Sequence, residues 1–526
     1  MTNSISEIRD ADCILITGTN TTENHPIIGL EIKAAVKHKG AKLIVIDPRQ
    51  IELTDYATLW LSPKPGTDLA LFNGLANIIL KNNWHNQEFI KNRTENFENF
   101  KNSLEKYTPE YVSQITGVPE EDLIEAAKIY SQSKNSTILY CMGITQHVSG
   151  TDMVLSLANL TMITGQIGKE SSGLNPLRGQ NNVQGACDMG ALPNVYTGYQ
   201  PVDNEVVREK FEKAYGVSLS PTKGLTVSEL MDQAHKGNIK GMYIMGENPM
   251  LSDPNITHVQ AALKNLEFLV VQDIFLSETA ELAHVVFPSA SFAEKDGTFS
   301  NTERRVQRVR KAIDPPGEAK ADWQIIAELS TLMGYPMNYL AASDIMDEIA
   351  GFTPSYGGIS YNRLEQGSLQ WPCPTKEHPG TKILHKDVFT RGLGKFSVLE
   401  YKPSPELPDK EYPYILSTGR VLQHYHTGTM TRRCKGLSEV YPEGVVEINP
   451  VDADKLGVKD SDIVKVISRR GEVLVKTKVT DKSPEGVVFM PFHFKEAPAN
   501  MLTIDAFDPV AKIPELKVCA VAVSKT

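Results

Sequence analysis

The chain lacks the features that mark membrane, secreted and nucleic-acid-binding proteins. Among its 526 residues, no apolar run approaches the length of a bilayer span, and the first ten residues are polar with mixed charge, unlike a signal peptide. No basic run is long enough to follow a phosphate backbone, and the net charge is only −10. We therefore expect no nucleic acid partner and no direct membrane span.

Cysteine is scarce as well. The chain has 6 cysteines, and none of them form a C-x-x-C pair, so the sequence offers neither a zinc knuckle nor a cradle for an iron–sulfur cluster. The absence of a disulfide pattern indicates a reduced, cytoplasmic chain. The pair His424 and His426 is more typical of a structural turn than of a metal site, and we predict no metal ligand in this chain.

Alternating apolar strands and amphipathic helices dominate the first half of the chain. This alternation predicts parallel sheets covered by helices on both faces. The first predicted strand begins after only about ten residues, with no element before it. Elements of the first block are predicted over residues 13–17, 26–39, 42–46, 68–82, 119–131, 137–142 and 152–164. A second block of the same type is predicted over 225–291, with strands at 242–245, 269–271 and 285–287.

From residue 412 onward the strands lose their alternating helices. Short strands of this kind with a single helix, predicted over 450–456, are typical of a compact β-barrel. The six strands are predicted over 413–417, 445–448, 463–468, 472–479, 487–492 and 518–523.

One segment of the sequence is rich in side chains that bind ligands. Residues 175–190 place Arg178 among amides and glycines, and a planar guanidinium suits a small carboxylate. Gln180 and its neighbouring amides can form hydrogen bonds to the polar edges of a ligand, while the glycines allow the backbone to come close to that ligand. A polar surface loop is the alternative interpretation.

Polar residues also follow most predicted strands. Open α/β sheets bind ligands at the carboxyl ends of their strands, so Asp47 and Arg49 are expected at a binding edge. In the second block, Asn248, Gln272 and Asp273 suit a sugar or purine edge better than catalysis.

Taken in order, several motifs resemble those of the molybdopterin oxidoreductases that carry two pyranopterin guanine dinucleotides, and within them the catalytic subunit of formate dehydrogenase. They are Gly-x-Asn-x-x-Glu-x-His-Pro at 18–26, Ile-Asp-Pro-Arg at 46–49, Pro-Gly-Thr-Asp at 65–68, Pro-x-Arg-Gly-Gln-Asn-Asn-Val-Gln-Gly at 176–185, Gly-Glu-Asn-Pro at 246–249, Thr-Gly-Arg at 418–420 and Pro-Glu-Leu-Lys at 514–517.

The resemblance implies two doubly wound Rossmann-like α/β domains and a C-terminal β-barrel of the double-psi type. The implied domains are residues 1–180 and 181–291 for guanine dinucleotide binding, 292–374 as the remnant of an N-terminal iron–sulfur domain with connections, and 375–526 as the cofactor-binding barrel.

The resemblance also implies roles for individual residues. Arg178 would orient formate beside molybdenum or tungsten, and Gln180 would lie near it against a pterin. One guanine dinucleotide would be lined by Gly18, Asn20, Glu23, Asp47, Arg49, Gly66 and Asp68. The other would be lined by Gly143, Gln146, Asn248, Ser252, Gln272, Asp273, Ser289 and Asp322, with Arg420, His424, Tyr425, Asn500 and Lys517 from the barrel.

The chain departs from that family pattern at its start. The family carries four cysteines for a [4Fe-4S] cluster and a cysteine or selenocysteine metal ligand ahead of the region where this chain begins, and none of these is present. We therefore expect a reading frame begun at an internal methionine after a selenocysteine codon read as stop, and a fragment that is inactive alone.

The implied partners are formate and carbon dioxide, together with electron-transfer subunits that are iron–sulfur, NAD-, ferredoxin- or hydrogenase-linked. Two alternatives remain open. One is another reaction of the family, such as nitrate reduction, and the other is a non-catalytic cofactor-binding chain completed by a separate N-terminal polypeptide.

Overall fold

The computed structural model describes all 526 residues of the chain, which divide into two compact units. The first unit comprises Met1–Gly179, Leu251–Thr257 and Ile383–Thr526, and the second comprises Gln180–Met250 and His258–Lys382. Three stretches that are distant in sequence therefore build the first unit.

Twenty-one strands form the sheets of the two units. In chain order they are β1 (Cys13–Thr17), β2 (Lys42–Ile46), β3 (Leu59–Leu61), β4 (Thr94–Glu95), β5 (Ser136–Tyr140), β6 (Gly173–Pro176), β7 (Val195–Tyr196), β8 (Gln200–Pro201), β9 (Gly241–Met245), β10 (Phe268–Asp273), β11 (Val285–Pro288), β12 (Gly297–Ser300), β13 (Arg305–Val309), β14 (Leu369–Gln370), β15 (Gly394–Lys395), β16 (Tyr414–Gly419), β17 (Val445–Ile448), β18 (Ile463–Ile467), β19 (Glu472–Val479), β20 (Val487–Pro491) and β21 (Cys519–Lys525).

The α-helices are numbered in the same way. They are α1 (Thr21–Asn24), α2 (Pro26–Ala34), α3 (Asp68–Lys81), α4 (Gln87–Arg93), α5 (Phe97–Ser103), α6 (Pro109–Thr116), α7 (Glu120–Gln132), α8 (Met142–Thr145), α9 (Gly150–Ile163), α10 (Val183–Asp188), α11 (Glu205–Tyr215), α12 (Val227–His235), α13 (Pro249–Ser252), α14 (Ile256–Lys264), α15 (Asp322–Leu332), α16 (Ala342–Phe352), α17 (Tyr361–Gln366), α18 (Lys435–Val440) and α19 (Pro450–Leu456).

A five-stranded parallel sheet forms the centre of the first unit, in the order β3-β2-β1-β5-β6. The strand order reverses between β1 and β5, because β2 and β3 continue on one side of β1 while β5 and β6 continue on the other. Open sheets of this kind bind ligands at such a reversal, beyond the carboxyl ends of the strands.

Both faces of this sheet are covered, as its apolar strands predict. Leu15 and its alternate neighbours pack with side chains of α3, α7 and α9 in one core. Ile14 and Ile16 point to the opposite face and pack with Ile28 and Ile32 of α2. The sheet is thus doubly wound, which confirms the predicted α/β class.

One expectation about the start of the chain is wrong. A 3₁₀-helix, Ile5–Asp10, precedes β1, and the Met1 side chain is 5% exposed within the core beside β1. The polar sequence before β1 concealed this element, because its few apolar side chains show no periodicity.

The last six strands close into a barrel in the order β16-β20-β17-β19-β18-β21. Closure leaves no unpaired strand edge. The neighbours β16 and β20 run parallel, as do β17 and β19, while β21 pairs antiparallel with both β16 and β18. The predicted barrel is confirmed, and the helix predicted over 450–456 is α19.

The second unit contains a three-stranded parallel sheet in the order β11-β10-β9. Side chains of α12 and α14, among them Met231, Val259 and Leu263, pack against Leu269 and Val271 of β10. A separate antiparallel sheet, β12-β13-β14, lies in the same unit. The three strands predicted in this block are all present.

Candidate functional site

A cleft opens in the first unit, where the carboxyl ends of β1, β2 and β5 meet one end of the barrel. Strand ends of the sheet contribute Gly18, Asp47 and Gly143, and the barrel contributes Arg420 and Lys517. The cleft therefore lies at the strand-order reversal, which is the position that the sheet topology predicts for a ligand.

Two glycines form the base of the cleft, and we call them the glycine floor (Gly18 and Gly143). The Gly143 N–H donates to the Gly18 carbonyl over 2.9 Å. A Cβ at residue 143 would lie 2.5 Å from the Gly18 Cα, and Gly18 has a φ of +56°. No other residue type fits at this crossing without moving one of the two loops.

Unsatisfied polar atoms concentrate in the segment around β1 and β2, and three of the residues that carry them, Thr19, His25 and Arg49, line the cleft. Nine buried side-chain nitrogen or oxygen atoms have no hydrogen-bond partner, and five of them lie between residues 17 and 49. The five atoms are Thr17 Oγ1, Thr19 Oγ1, Thr21 Oγ1, His25 Nδ1 and Arg49 Nε. Each such atom costs on the order of 1–3 kcal/mol, so a polar group that bonds to these atoms would relieve this cost.

Arg49 is held by an ion pair and an aromatic ring. Its Nη2 donates to Glu447 Oε2 over 2.6 Å, and its Cζ lies 3.4 Å from the centroid of the Phe489 ring. Removal from bulk water raises the pKa of Asp47 to about 6, although the Arg49 backbone N–H and cation pull it down. Burial also raises the pKa of Glu23, against the opposing effect of Arg49.

Cations of the barrel face the cleft from the other side. The Lys517 Nζ donates to the Thr418 carbonyl over 2.6 Å, and burial, with the nearby Arg420 cation, lowers the pKa of Lys517 to about 8. Burial likewise lowers the pKa of Arg420. A Cβ added at Gly179 would lie 2.8 Å from the Arg420 guanidinium, so this cation packs directly on backbone. The arrangement favours an anionic ligand.

The segment that carries Arg178 is fixed at the end of the same sheet. Asn175 on β6 donates to Thr137 Oγ1 over 2.8 Å, and the Cys141 thiol donates to the Leu177 carbonyl. His25 Nε2 donates to the Arg178 carbonyl over 2.7 Å. Burial raises the pKa of Tyr140 to about 12, while the Arg178 cation opposes that rise. Gln180 begins the second unit, and its pterin contact stays a prediction.

Other predicted residues of the first unit occupy distinct positions. Asn20, Gly66, Asp68 and Gln146 line the cleft. The Asn500 amide donates to the carbonyls of Leu251 and Ser252 over 2.8 and 3.0 Å, and its Oδ1 has no partner.

Two aromatic residues predicted to bind cofactor lie on the barrel. His424 is buried, with Nε2 bonded to the Tyr441 carbonyl over 2.8 Å, so its ring supports the barrel in this structure. Tyr425 is 38% exposed.

The predicted residues of the second unit gather at the ends of its parallel strands. Asn248 is buried and accepts from the Thr279 hydroxyl over 2.7 Å. Gln272 donates to Asp322 over 2.8 Å, and Asp322 pairs with Lys295. Asp273 is the last residue of β10, and its carboxylate accepts from the Ile274 N–H. Ser289 directly follows β11, and its N–H donates to the Asp273 carbonyl.

Two buried carboxylates were missed by sequence reasoning. Glu515 pairs with His147 in the first unit over 2.9 Å, and both side chains are buried. In the second unit, Asp188 accepts hydrogen bonds from four side chains. Their partners are as many as 368 residues away in sequence (147 to 515), and no local pattern marks such pairs.

Two family comparisons match the chain. Residues 1–332 match the family described as "Molybdopterin oxidoreductase", and residues 414–520 match "Molydopterin dinucleotide binding domain". The chain therefore belongs to the molybdopterin oxidoreductase family, and it is an oxidoreductase.

Similarity to individual proteins gives more detail than the family match. The F420-dependent formate dehydrogenase subunit alpha of Methanocaldococcus jannaschii is 56% identical over 100% of this chain and 78% of its own length. Formate dehydrogenase H of Escherichia coli is 41% identical over 99% of this chain and 74% of its own length. Acetylene hydratase from Pelobacter acetylenicus shares the fold, with a TM-score of 0.77 at 21% identity, over 99% of this chain and 81% of the hydratase.

The cleft fits a molybdopterin dinucleotide. Its unsatisfied hydroxyl, imidazole and guanidinium atoms, its cations and its glycine floor match a large ligand with polar edges and phosphates.

No group of three or more His, Cys, Asp or Glu side chains is placed to hold a metal ion by itself. No helix combines the length and apolar character needed to cross a bilayer.

Proposed function

We propose that this chain is the alpha subunit of a formate dehydrogenase and that it oxidises formate to carbon dioxide at a bis(molybdopterin guanine dinucleotide) centre holding molybdenum or tungsten. Support comes from identities of 41–56% to formate dehydrogenases along the whole chain. Arg178, fixed at the sheet edge beside the cleft, is the observation that carries the substrate class.

The reaction releases two electrons and one proton from formate as carbon dioxide forms. The bound metal centre supplies the two-electron acceptor. The task of the protein is then to hold a small carboxylate in one orientation, which a guanidinium does through two parallel hydrogen bonds. His25 supports this role because it fixes the backbone carbonyl of Arg178.

One dinucleotide would be held by the cleft of the first unit. In this proposal Asp47 and Asp68 accept hydrogen bonds from the ligand, while Arg49, Arg420 and Lys517 neutralise its phosphates. The glycine floor lets the ligand approach the backbone. The second dinucleotide would lie against Asn248, Gln272, Asp273, Ser289 and Asp322, as the family motifs indicate.

Electrons would leave through a partner subunit. Three relatives at 49–56% identity are named F420-dependent formate dehydrogenase subunits alpha. We extend that name to this chain as a proposal: a partner subunit passes the electrons to F420. Reduction of F420 by the purified complex, with NAD and ferredoxin as the competing acceptors, tests this proposal.

The substrate is tested on the complex isolated through a tag at the C-terminus of this chain. Viologen reduction is measured with formate and viologen oxidation with nitrate, and bound cofactor is counted as guanosine monophosphate released by acid. Arg178→Lys should lower kcat/KM for formate about 10- to 100-fold, because one charge-assisted hydrogen bond is worth roughly 1.5–3 kcal/mol. Bound nucleotide should not change.

Arg391→Lys is the matched control, since Arg391 is exposed and pairs with Glu95. It should alter turnover less than about twofold. Turnover of nitrate instead of formate, or unchanged formate kinetics in Arg178→Lys, contradicts the proposed substrate.

A further inference from the structure

A buried ion pair joins the barrel to the sheet of the first unit. His147 Nδ1 donates to Glu515 Oε1 over 2.9 Å, and the two side chains are 4% and 1% exposed. His147 follows β5 and the short helix α8, whereas Glu515 lies just before the last barrel strand, β21. The pair therefore connects two buried side chains that are far apart in sequence.

Both oxygens of Glu515 are occupied. Oε1 also accepts the backbone N–H groups of Lys517 and Val518, over 3.3 and 3.2 Å. Oε2 accepts the Val148 N–H over 3.1 Å and the Ser404 hydroxyl over 3.5 Å. One carboxylate thus orders the barrel segment leading to Lys517 and, at the same time, the loop that follows β5.

From His147 the contacts continue to the cleft. The other ring nitrogen, Nε2, donates to the Gly143 carbonyl over 3.0 Å, and the Gly143 N–H donates to Gly18. His147 and Lys517 both line the cleft as well. An unbroken series of hydrogen bonds therefore runs from the barrel through His147 to the glycine floor.

The charges around the pair keep it ionised. Burial alone would lower the pKa of His147, but the Glu515 carboxylate and the more distant Asp68 carboxylate outweigh burial and raise it, with Lys517 opposing them. Burial would raise the pKa of Glu515, and the His147 cation with the backbone N–H donors lowers it instead. Asp68 and Lys517 are the other charged groups that face the pair.

We infer that His147 and Glu515 act as positioning residues, a latch that fixes the glycine floor and Lys517 relative to each other and so sets the shape of the dinucleotide cleft. The inference rests on the proposed function in taking a guanine dinucleotide as the occupant. Neither residue touches substrate in this role. The latch acts by holding backbone that the ligand contacts.

The chain offers a matched control for a purely structural effect. Asp508 is also buried and also joins the terminal barrel segment to the sheet side, accepting from the Thr151 N–H and hydroxyl over 2.9 and 2.8 Å. Its contacts lead to the start of α9, and neither glycine of the floor is among its partners. Asp508→Asn should therefore weaken the same attachment without disturbing the cleft.

The test compares Glu515→Gln with Asp508→Asn in the purified complex. We expect the half-life of bound guanine nucleotide to fall at least about tenfold in Glu515→Gln and less than about twofold in Asp508→Asn. In the wild type, retention should decline as pH rises through the raised pKa of His147, because the neutral ring loses its ionic attraction to Glu515. The double variant His147→Gln/Glu515→Gln removes both charges together, and should fold and lose that alkaline decline.

Hydrogen exchange supplies a readout that needs no cofactor. The Gly143 amide should exchange at least about tenfold faster in Glu515→Gln than in Asp508→Asn. Equal exchange and equal retention in the two variants would overturn the latch even if formate turnover were normal. Conversely, a complex that binds guanine nucleotide but does not oxidise formate would overturn the proposed substrate and leave the latch standing.

Discussion

Asp188 of the second unit offers a sharp test of how a buried carboxylate organises the segment after Arg178. It is 0% exposed. Its Oδ1 accepts from the Gln184 amide over 2.7 Å and the Tyr199 hydroxyl over 2.9 Å, and its Oδ2 accepts from the Tyr356 hydroxyl and the Trp371 indole N–H, each over 2.6 Å. Replacement by Asn changes one acceptor into a donor without changing the size of the side chain.

The expected loss of stability in Asp188→Asn follows from which groups donate hydrogen bonds to this side chain. If the remaining oxygen keeps Gln184 and Tyr199, the new NH₂ group faces Tyr356 and Trp371. A hydroxyl can turn and accept, but an indole N–H is donor only, so it is left unpaired at roughly 1–3 kcal/mol. The other bonds lose their charge assistance, and relief of the buried charge offsets part of that loss, because burial already raises the pKa of Asp188. We expect Asp188→Asn to destabilise this region by about 2–4 kcal/mol.

Hydrogen exchange at the amides of α10 measures this change directly. A loss of about 2 kcal/mol corresponds to roughly 30-fold weaker protection. Tyr199→Phe, which removes a single donor, should cost only about 1 kcal/mol. Protection that is unchanged in Asp188→Asn, or lower in Tyr199→Phe than in Asp188→Asn, would refute the reasoning.

Three further predictions concern the first unit. Gly143→Ala should cause the purified complex to lose its guanine nucleotide, because the new Cβ would lie 2.5 Å from the Gly18 Cα. The control Gly351→Ala, where the added Cβ would meet open space, should retain the nucleotide. Arg49→Lys should lower nucleotide content by several-fold at equal folding, since Lys cannot both stack on Phe489 and pair with Glu447; retention of full content contradicts the stack. Burial lowers the pKa of His493 to about 3, so as pH falls the unfolded chain binds a proton at this residue before the folded chain does. The stability of the barrel should therefore fall as pH drops from about 6.5 towards 3. His493→Gln should make the melting temperature depend less on pH over that window, and an unaltered slope would contradict this assignment.

The secondary structure of the sheet and barrel was largely predictable from the sequence. Apolar runs bounded by glycine and polar turns marked β1, β2 and all six barrel strands, because each run is buried along its whole length or on alternate residues. By contrast, β3 and β6 were missed. Leu59–Leu61 is too short to show a period, and Gly173–Pro176 contains residues that disfavour strands.

The candidate site was predictable in part. Asp47, Arg49, Gly143 and Lys517 were assigned from motifs and strand ends, and all four line one cleft. His147 and Glu515 were not assigned, although Glu515 lies within the Pro-Glu-Leu-Lys motif, because each acquires its role through a partner that is distant in sequence. The cofactor contact of His424 stays a prediction; in the structure its ring is buried and bonded to the Tyr441 carbonyl.

The position of β21 in the barrel has a consequence for biosynthesis. Cys519–Lys525 pairs with both β16 and β18, so the ring closes only once this strand is in place, and Glu515 and Lys517 lie just ahead of it. The barrel wall of the cleft is therefore incomplete until β21 has been synthesised and paired. A nascent chain stalled short of β21 should therefore be unable to receive a prosthetic group in this cleft.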